Sequence, residues 1–404
     1  PITPATSVAP GTPPTAYFST ANQEGGLDGN SYITAQTVVD SLVNNGRVVL
    51  TTRSSISTVS PAPGPAPGNG NIVVNAPILM PTPAPSAAVV AGVPRLTLEA
   101  EGDVFINSPI GIDPTATATY GGFDLILRYA NNRSANLNAP LMLGTQGGLT
   151  LQVFQGNGSA PLGPAPIGLN VLGGVNAGGD VPLRLPKILT AAPETPLAPA
   201  NTALAQGEAV VVNITGANVE VQELGTAPAG GPDINLTISQ VVPTGAPAVA
   251  GRLAVERLKV NTATVSDTSK LLLTPYMPLP TVPVQPAPAP TANLVSLNMS
   301  GNSTADFAGS LVLTGTATLQ DQSTLNLLGP ATGNAVTTTV NNLVMTQASQ
   351  ASVATRNQLV NLTAVDLSNT ANIAVAGSTA TNNTGTVAIP SLTLKDTSTA
   401  NFTG

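Results

Sequence analysis

In the N-terminal half of the chain, apolar residues recur at every second position in short runs, and three such runs close on the same corner. "VVLTT" at 48–52 leads to "NIVVNAPI" at 71–78, "LTLEA" at 96–100 to "DVFINSPI" at 103–110, and "LILRYA" at 125–130 to "SANLNAPL" at 134–141. In the second copy the alternating residues are Leu96 and Leu98, then Val104 and Ile106. Such period-two patterning turns one face of an extended strand to a core and the other to solvent. The shared ending is Asn-x-Pro-apolar at Asn75, Asn107 and Asn138, spaced 32 and 31 residues apart. A phrase recurring at that period predicts a solenoid with one coil per repeat.

A shorter phrase runs through the C-terminal third: two apolar residues one apart, a polar gap of about five, then a second such pair. Its copies are Ala263, Val265, Leu271, Leu273; Leu297, Met299, Ala305, Phe307; Ala317, Leu319, Leu325, Leu327; and Leu343, Met345, Ala351, Val353. It continues across a shorter gap as Val365, Leu367, Ala371, Ile373 and closes as Leu392, Leu394, Ala400, Phe402. Small inward residues such as Ala263, Ala305, Ala317, Ala351 and Ala400 suit places where the chain bends, and Asn, Gly and Ser suit the turns.

The fold expected is all-β: a right-handed parallel β-helix, or solenoid, with Pro-rich excursions and a short N-terminal capping helix. Its competitor is a β-sandwich of immunoglobulin type, disfavoured by the repeats, the absence of Trp and an aromatic content of 3%. The helix is expected in "NSYITAQTVVDSLVNNG", capped by Ser31, with Ile33, Val38, Leu42 and Val43 near one face and Gly46 as the stop. Composition divides the chain into a Pro-rich arm (1–30), a β-helix with coils of about 31 residues (31–190), a further β-rich region (191–274), a Pro-rich insertion (275–293) and a β-helix with shorter coils (294–404). Further Pro-rich excursions are expected at 61–67 and 81–85. Pro1 is no translational start, so processing upstream of it is expected. The final "STANFTG" completes a repeat without a cap, so more chain or another subunit is expected to cover it.

Composition narrows the function classes. Charged residues are 8% of the 404, against roughly 25% in an average soluble protein. The 13 basic and 20 acidic residues are scattered, giving a net charge of -7. No basic patch meets nucleic acid, and no basic amphipathic segment meets a membrane surface. No apolar run approaches the roughly 20 residues of a membrane span. Without Cys or His the chain has no thiolate, no imidazole base and no usual zinc ligand, so neither metal nor other cofactor is expected.

β-Helices that act on acidic sugars gather Asp, Glu, Arg or Lys on an outer face. The best local match is Glu99, Glu101 and Asp103 with Arg95 near, a cluster better read as solubilising an exposed strand and blunting edge pairing. Arg252, Glu256, Arg257 and Lys259 read as a second solvated face, and "GGVNAGGD" at 173–180 as a loop lacking the Lys-Ser/Thr of a phosphate loop. Asn-x-Ser/Thr triplets begin at Asn132, Asn157, Asn213, Asn235, Asn298, Asn302, Asn361, Asn382 and Asn401, about as many as so Asn- and Thr-rich a chain yields by chance. No catalytic, metal or cofactor residue is assigned.

The run from "TAQTVVDSLVNNG" through "RVVLTT", "GNIVVNAPI" and "LTLEAEGDVFINSPI" resembles the repeat region of filamentous-haemagglutinin-like secreted proteins, over about residues 31–143. That resemblance implies an exported bacterial surface protein, an adhesin or scaffold. The function expected is a secreted, non-enzymatic structural subunit that self-assembles into an extracellular filament or surface coat. Its alternatives are the stalk of a cell-surface adhesin and a carbohydrate-active or carbohydrate-binding β-helix. The expected partners are further copies of the chain, with cell-surface or glycan contact besides.

Overall fold

The computed structural model describes residues 15–19, 33–52, 70–82, 93–100, 102–116, 120–130, 132–154, 168–172, 182–191, 209–228, 230–276, 289–330, 335–377 and 385–403. The Pro-rich stretch 61–67 lies outside them, as do most of 81–85 and 275–290. Strand makes up 61% and helix 5%, and the ladders set out below are all parallel, so the protein is a parallel β-helix rather than a sandwich. The chain forms two compact units, one mostly of residues 1–175 and 183–210, the other mostly of 211–225 and 233–404.

The first unit carries three ladders. One stacks Thr15–Ser19, Arg47–Thr51, Arg95–Glu99, Asp124–Ala130, Gly148–Phe154 and Leu183–Thr190. The second stacks Ile72–Val74, Val104–Ile106, Ser134–Leu137 and Gly168–Leu172. Ile78–Met80, Ile110–Ile112 and Leu141–Met142 form the third. Alternation selects the inward residues: Leu96 lies over Leu125 and Leu98 over Leu127 in the first ladder, and Val104 over Ala135 and Ile106 over Leu137 in the second. All eight are fully buried. Like apolar groups in neighbouring coils thereby exclude water from one column.

The recurring Asn-x-Pro corner joins the second ladder to the third. Asn107 Nδ2 donates to Asn75 Oδ1 (3.0 Å) and Asn138 Nδ2 to Asn107 Oδ1 (2.8 Å), a hydrogen-bonded chain of side chains running from coil to coil. The proline that follows lacks an N–H and interrupts the strand there. Its carbonyl still serves: Pro109 O accepts from Ile78 N at 2.9 Å. Gly111 in the third ladder has φ +136° and sits so close to Met142 that a Cβ would lie 2.1 Å from its carbonyl oxygen, so no other residue fits.

The helix Ala35–Asn45 is capped three residues beyond the expected Ser31. Thr34 is its cap, accepting from Thr37 N at 3.1 Å, and Gly46 closes it at φ 71° with its N–H on Leu42 O. Its buried face is Val38, Val39 and Leu42, packed against Arg47–Thr51 and Ile78–Met80. It caps the apolar column, as the pattern predicts. The arm before it contributes Thr15–Ser19 as a further strand, on Arg47–Thr51.

In the second unit, short strands alternate with long ones. The short ladder is Lys270–Leu273, Thr304–Phe307, Thr324–Leu327, Gln350–Ala354, Asn372–Ala376 and Thr399–Thr403. The long strands Arg252–Val265, Thr291–Met299, Ser310–Leu319, Val336–Met345 and Gln358–Leu367 each form two faces. Register shifts mark bends between Leu294 and Leu297 and between Leu313 and Thr316. At the last coil Thr386–Ala388 and Ser391–Leu394 pair separately with the two halves of Gln358–Leu367.

Four residues join each long strand to the next short one, and the second of them is left-handed: Asp267, Gly301, Asp321, Gln347, Asn369 and Asp396 all have φ between 58 and 68°. That conformation costs an L-residue roughly 1–2 kcal/mol, and polar side chains offset part of the cost. Asp321 Oδ2 accepts from Gly301 N at 2.8 Å, the Gln347 side chain accepts from Asp321 N, and Asp396 Oδ2 accepts from Asn369 N at 2.9 Å. Gly301 packs directly on Asp267, where a Cβ would lie 2.8 Å from the Asp267 Cα.

This turn also corrects one repeat. The inward pair after Val365 and Leu367 is Ile373 and Val375, which pair with Ala351 and Val353, whereas Ala371 is the last residue of the turn. There it replaces Ser303, Ser323 and Ser349, whose buried hydroxyls have no partner. A buried hydroxyl without a hydrogen bond destabilises, so Ser323→Ala should leave stability unchanged or raise it by up to about 1 kcal/mol. Urea midpoints of the two proteins check this; a fall of that size would mean the hydroxyl is bonded.

The opposite corner, between a short strand and the next long one, varies in length from two residues (308–309) to seventeen (274–290). In the last coil the inward positions Leu392, Leu394 and Phe402 are 37%, 48% and 58% exposed.

Candidate functional site

The sequence cluster Glu99, Glu101, Asp103 and Arg95 does not form one face. Glu99 ends a first-ladder strand, Ala100 turns inward, Glu101 lies outside the described residues, and Asp103 begins the second-ladder segment. Nor does Glu99 solubilise an exposed strand, because it is 2% exposed. Arg128 stands in register above it, and Gln152 above Arg128. The Arg128 guanidinium donates through Nη1 to Glu99 Oε2 (2.7 Å) and through Nε and Nη2 to Gln152 Oε1 (2.9 and 2.7 Å). Side-chain exposures of 5% for Arg128 and 3% for Glu99 make this a buried polar stack crossing three coils.

Asp103 has a different task. Asn71 Oδ1 accepts from Asp103 N at 2.7 Å, and Asp103 Oδ1 accepts from Ser134 N at 2.7 Å, so equivalent positions in successive coils hold each other's backbone. Arg95 pairs with Asp124 of the next coil at 3.4 Å, both about a third exposed. Asp113 takes the amide and hydroxyl of Thr115, which hold its carboxyl below the usual carboxylate range. Tyr129 lies in the core, where burial pushes its phenol well up.

The second charged group is part solvated and part buried. Arg257 spans Glu223 of the previous coil (3.2 Å) and Glu256 (3.1 Å), and Arg252 reaches Glu220 (3.6 Å) and Asn218 (2.8 Å). Glu256 is 3% exposed, contrary to the expectation of a solvated face. Its Oε2 accepts from Tyr276 N at 2.9 Å, anchoring the start of the Pro-rich insertion. The Gly-rich stretch 173–180, Asn157 and Asn382 lie outside the described residues. Asn213, at 7% exposed, is closed to modification in the folded chain, whereas Asn298, Asn302 and Asn401 are exposed.

Chemically, these carboxylates act as acceptors that tie one coil to the next. General acid–base work needs a carboxylate facing open space with its proton free to move, whereas Glu99, Asp103 and Glu256 are buried and occupied. Arg128 and Gln152 were missed as site residues, yet a signal was present: "LTLE", "LILR" and "LTLQ" carry Glu99, Arg128 and Gln152 at one position of the strand phrase. Among the described residues no helix is long and apolar enough to cross a membrane. No protein family, curated protein or solved structure matches the chain.

Proposed function

We propose that the protein is a secreted, non-enzymatic structural subunit of the extracellular surface, similar in role to filamentous-haemagglutinin-like proteins, and that it assembles with copies of itself into a filament or coat. The observation that carries this reading is the use of charge: Glu99, Arg128, Glu223, Arg257, Glu220, Arg252, Arg95 and Asp124 are all spent on contacts between coils. The outer positions of the second unit are uncharged over long stretches, for example Thr291, Asn293, Ser296 and Asn298 on one strand. Surfaces with little charge repel one another weakly.

Electron microscopy and sedimentation of the purified chain at physiological salt test the proposal. Ordered polymers built of the chain are the expected result. Monodisperse particles that bind a host surface would favour the adhesin stalk, and discrete oligomers that shorten a polysaccharide would overturn the structural reading in favour of a carbohydrate-active β-helix.

A further inference from the structure

Two guanidinium groups are buried five residues apart, and one of them has a sealed nitrogen without a partner. Arg128 is 4% exposed and meets Glu99 and Gln152. Arg133 is 7% exposed, with Nη1 shut off from solvent and no partner. Arginine does not shed its proton in proteins, so it cannot escape burial by becoming neutral, as lysine or histidine does. A buried charge with no opposite charge beside it is the arrangement that folded chains avoid.

Arg133 sits in the turn leading from the first ladder to the second, held by its own N–H on Ala130 O (3.0 Å) and by Gly168 N on its carbonyl (3.2 Å). Three residues on, Asn136 offers a second idle donor. Its Oδ1 accepts from Asn170 Nδ2 at 2.9 Å, while its own Nδ2 is buried without a partner. Three residues of extended chain place the two Cα atoms at most about 11 Å apart. Asp103 in the preceding coil is engaged by Ser134 N, and no ion pair joins it to Arg133. Among the described residues, Arg133 Nη1 and Asn136 Nδ2 are therefore two buried donors without an acceptor.

We propose that Arg133, assisted by Asn136, forms the binding site for a small oxyanion: a carboxylate, sulfate or phosphate group, which the planar fork of arginine grips through paired hydrogen bonds. The site stands independently of the assembly proposed above. Inorganic sulfate is the first probe, with the melting temperature of the whole chain followed at constant ionic strength set by chloride. Wild type should show a saturable rise of about 2–4 °C. Arg133→Met should lose that rise and, without sulfate, melt no lower than wild type, because it removes an unpaired buried charge. Acetate and a galacturonate oligomer, tested the same way, separate a free inorganic anion from the acid group of a glycan. An equal sulfate response in Arg133→Met, or none in wild type to any of the three probes, overturns the site. A response that emerges only in Glu101→Gln would assign the counter-charge to that carboxylate and overturn it equally.

Discussion

Arg128→Ala is expected to destabilise the first unit by about 3–5 kcal/mol, the usual cost of breaking a buried ion pair from one side. The loss exceeds what the contacts themselves contribute. Glu99 would remain at a position 2% exposed without the guanidinium that faces it, and Gln152 Oε1 would lose two donors at once. Water cannot replace them while the coils stay stacked. Removing the stack together, as Glu99→Leu with Arg128→Met and Gln152→Leu, should recover most of the loss, since apolar groups of similar volume often substitute for buried polar groups with little penalty. Urea unfolding of the single and triple variants measures both values. A loss under about 1 kcal/mol for Arg128→Ala would mean that the stack is open to solvent.

Phe307→Ala should cost the second unit about 3–5 kcal/mol. The ring is 1% exposed and is held in register between Leu273 of one coil and Leu327 of the next. Truncation leaves a void between the coils above and below, whose strands are fixed by their own ladders, so few neighbours can move in to fill it. Each coil is supported only by its neighbours, so the damage should centre on Lys270–Leu273, Thr304–Phe307 and Thr324–Leu327. Hydrogen exchange would then quicken at those three strands before it quickens at Asn372–Ala376. Uniform loss of protection along the unit would contradict nearest-neighbour stacking.

Period and alternation were enough to place the coils. The three Asn-x-Pro phrases marked one corner, and Asn75, Asn107 and Asn138 do bond in sequence there. Inward residues such as Leu96, Leu98, Leu325 and Leu327 followed from spacing alone. The pattern misled where apolar character does not identify position. Ala371 passes for a strand residue because alanine suits both a core strand and the end of a tight turn, and only the register with Ala351 and Val353 reveals the offset. Glu99 passes for a surface residue because its partner Arg128 stands 29 positions later in the chain, and Gln152, which holds Arg128, a further 24; a charge's exposure depends on what stacks above it. Arg133 carried no signal, since a buried nitrogen without a partner is defined by neighbours it lacks.

The uneven corner of the second unit has a practical meaning. One vertex holds a constant four-residue turn with interlocked backbone and side chains, while the vertex between short and long strands tolerates anything from 308–309 to 274–290 without changing the register on either side. Loop-closure entropy grows only slowly with length, so that vertex is a natural socket. Foreign peptides spliced in at 328–335 or 377–385 would be displayed along one ridge at intervals fixed by the coil spacing, about 4.8 Å per coil.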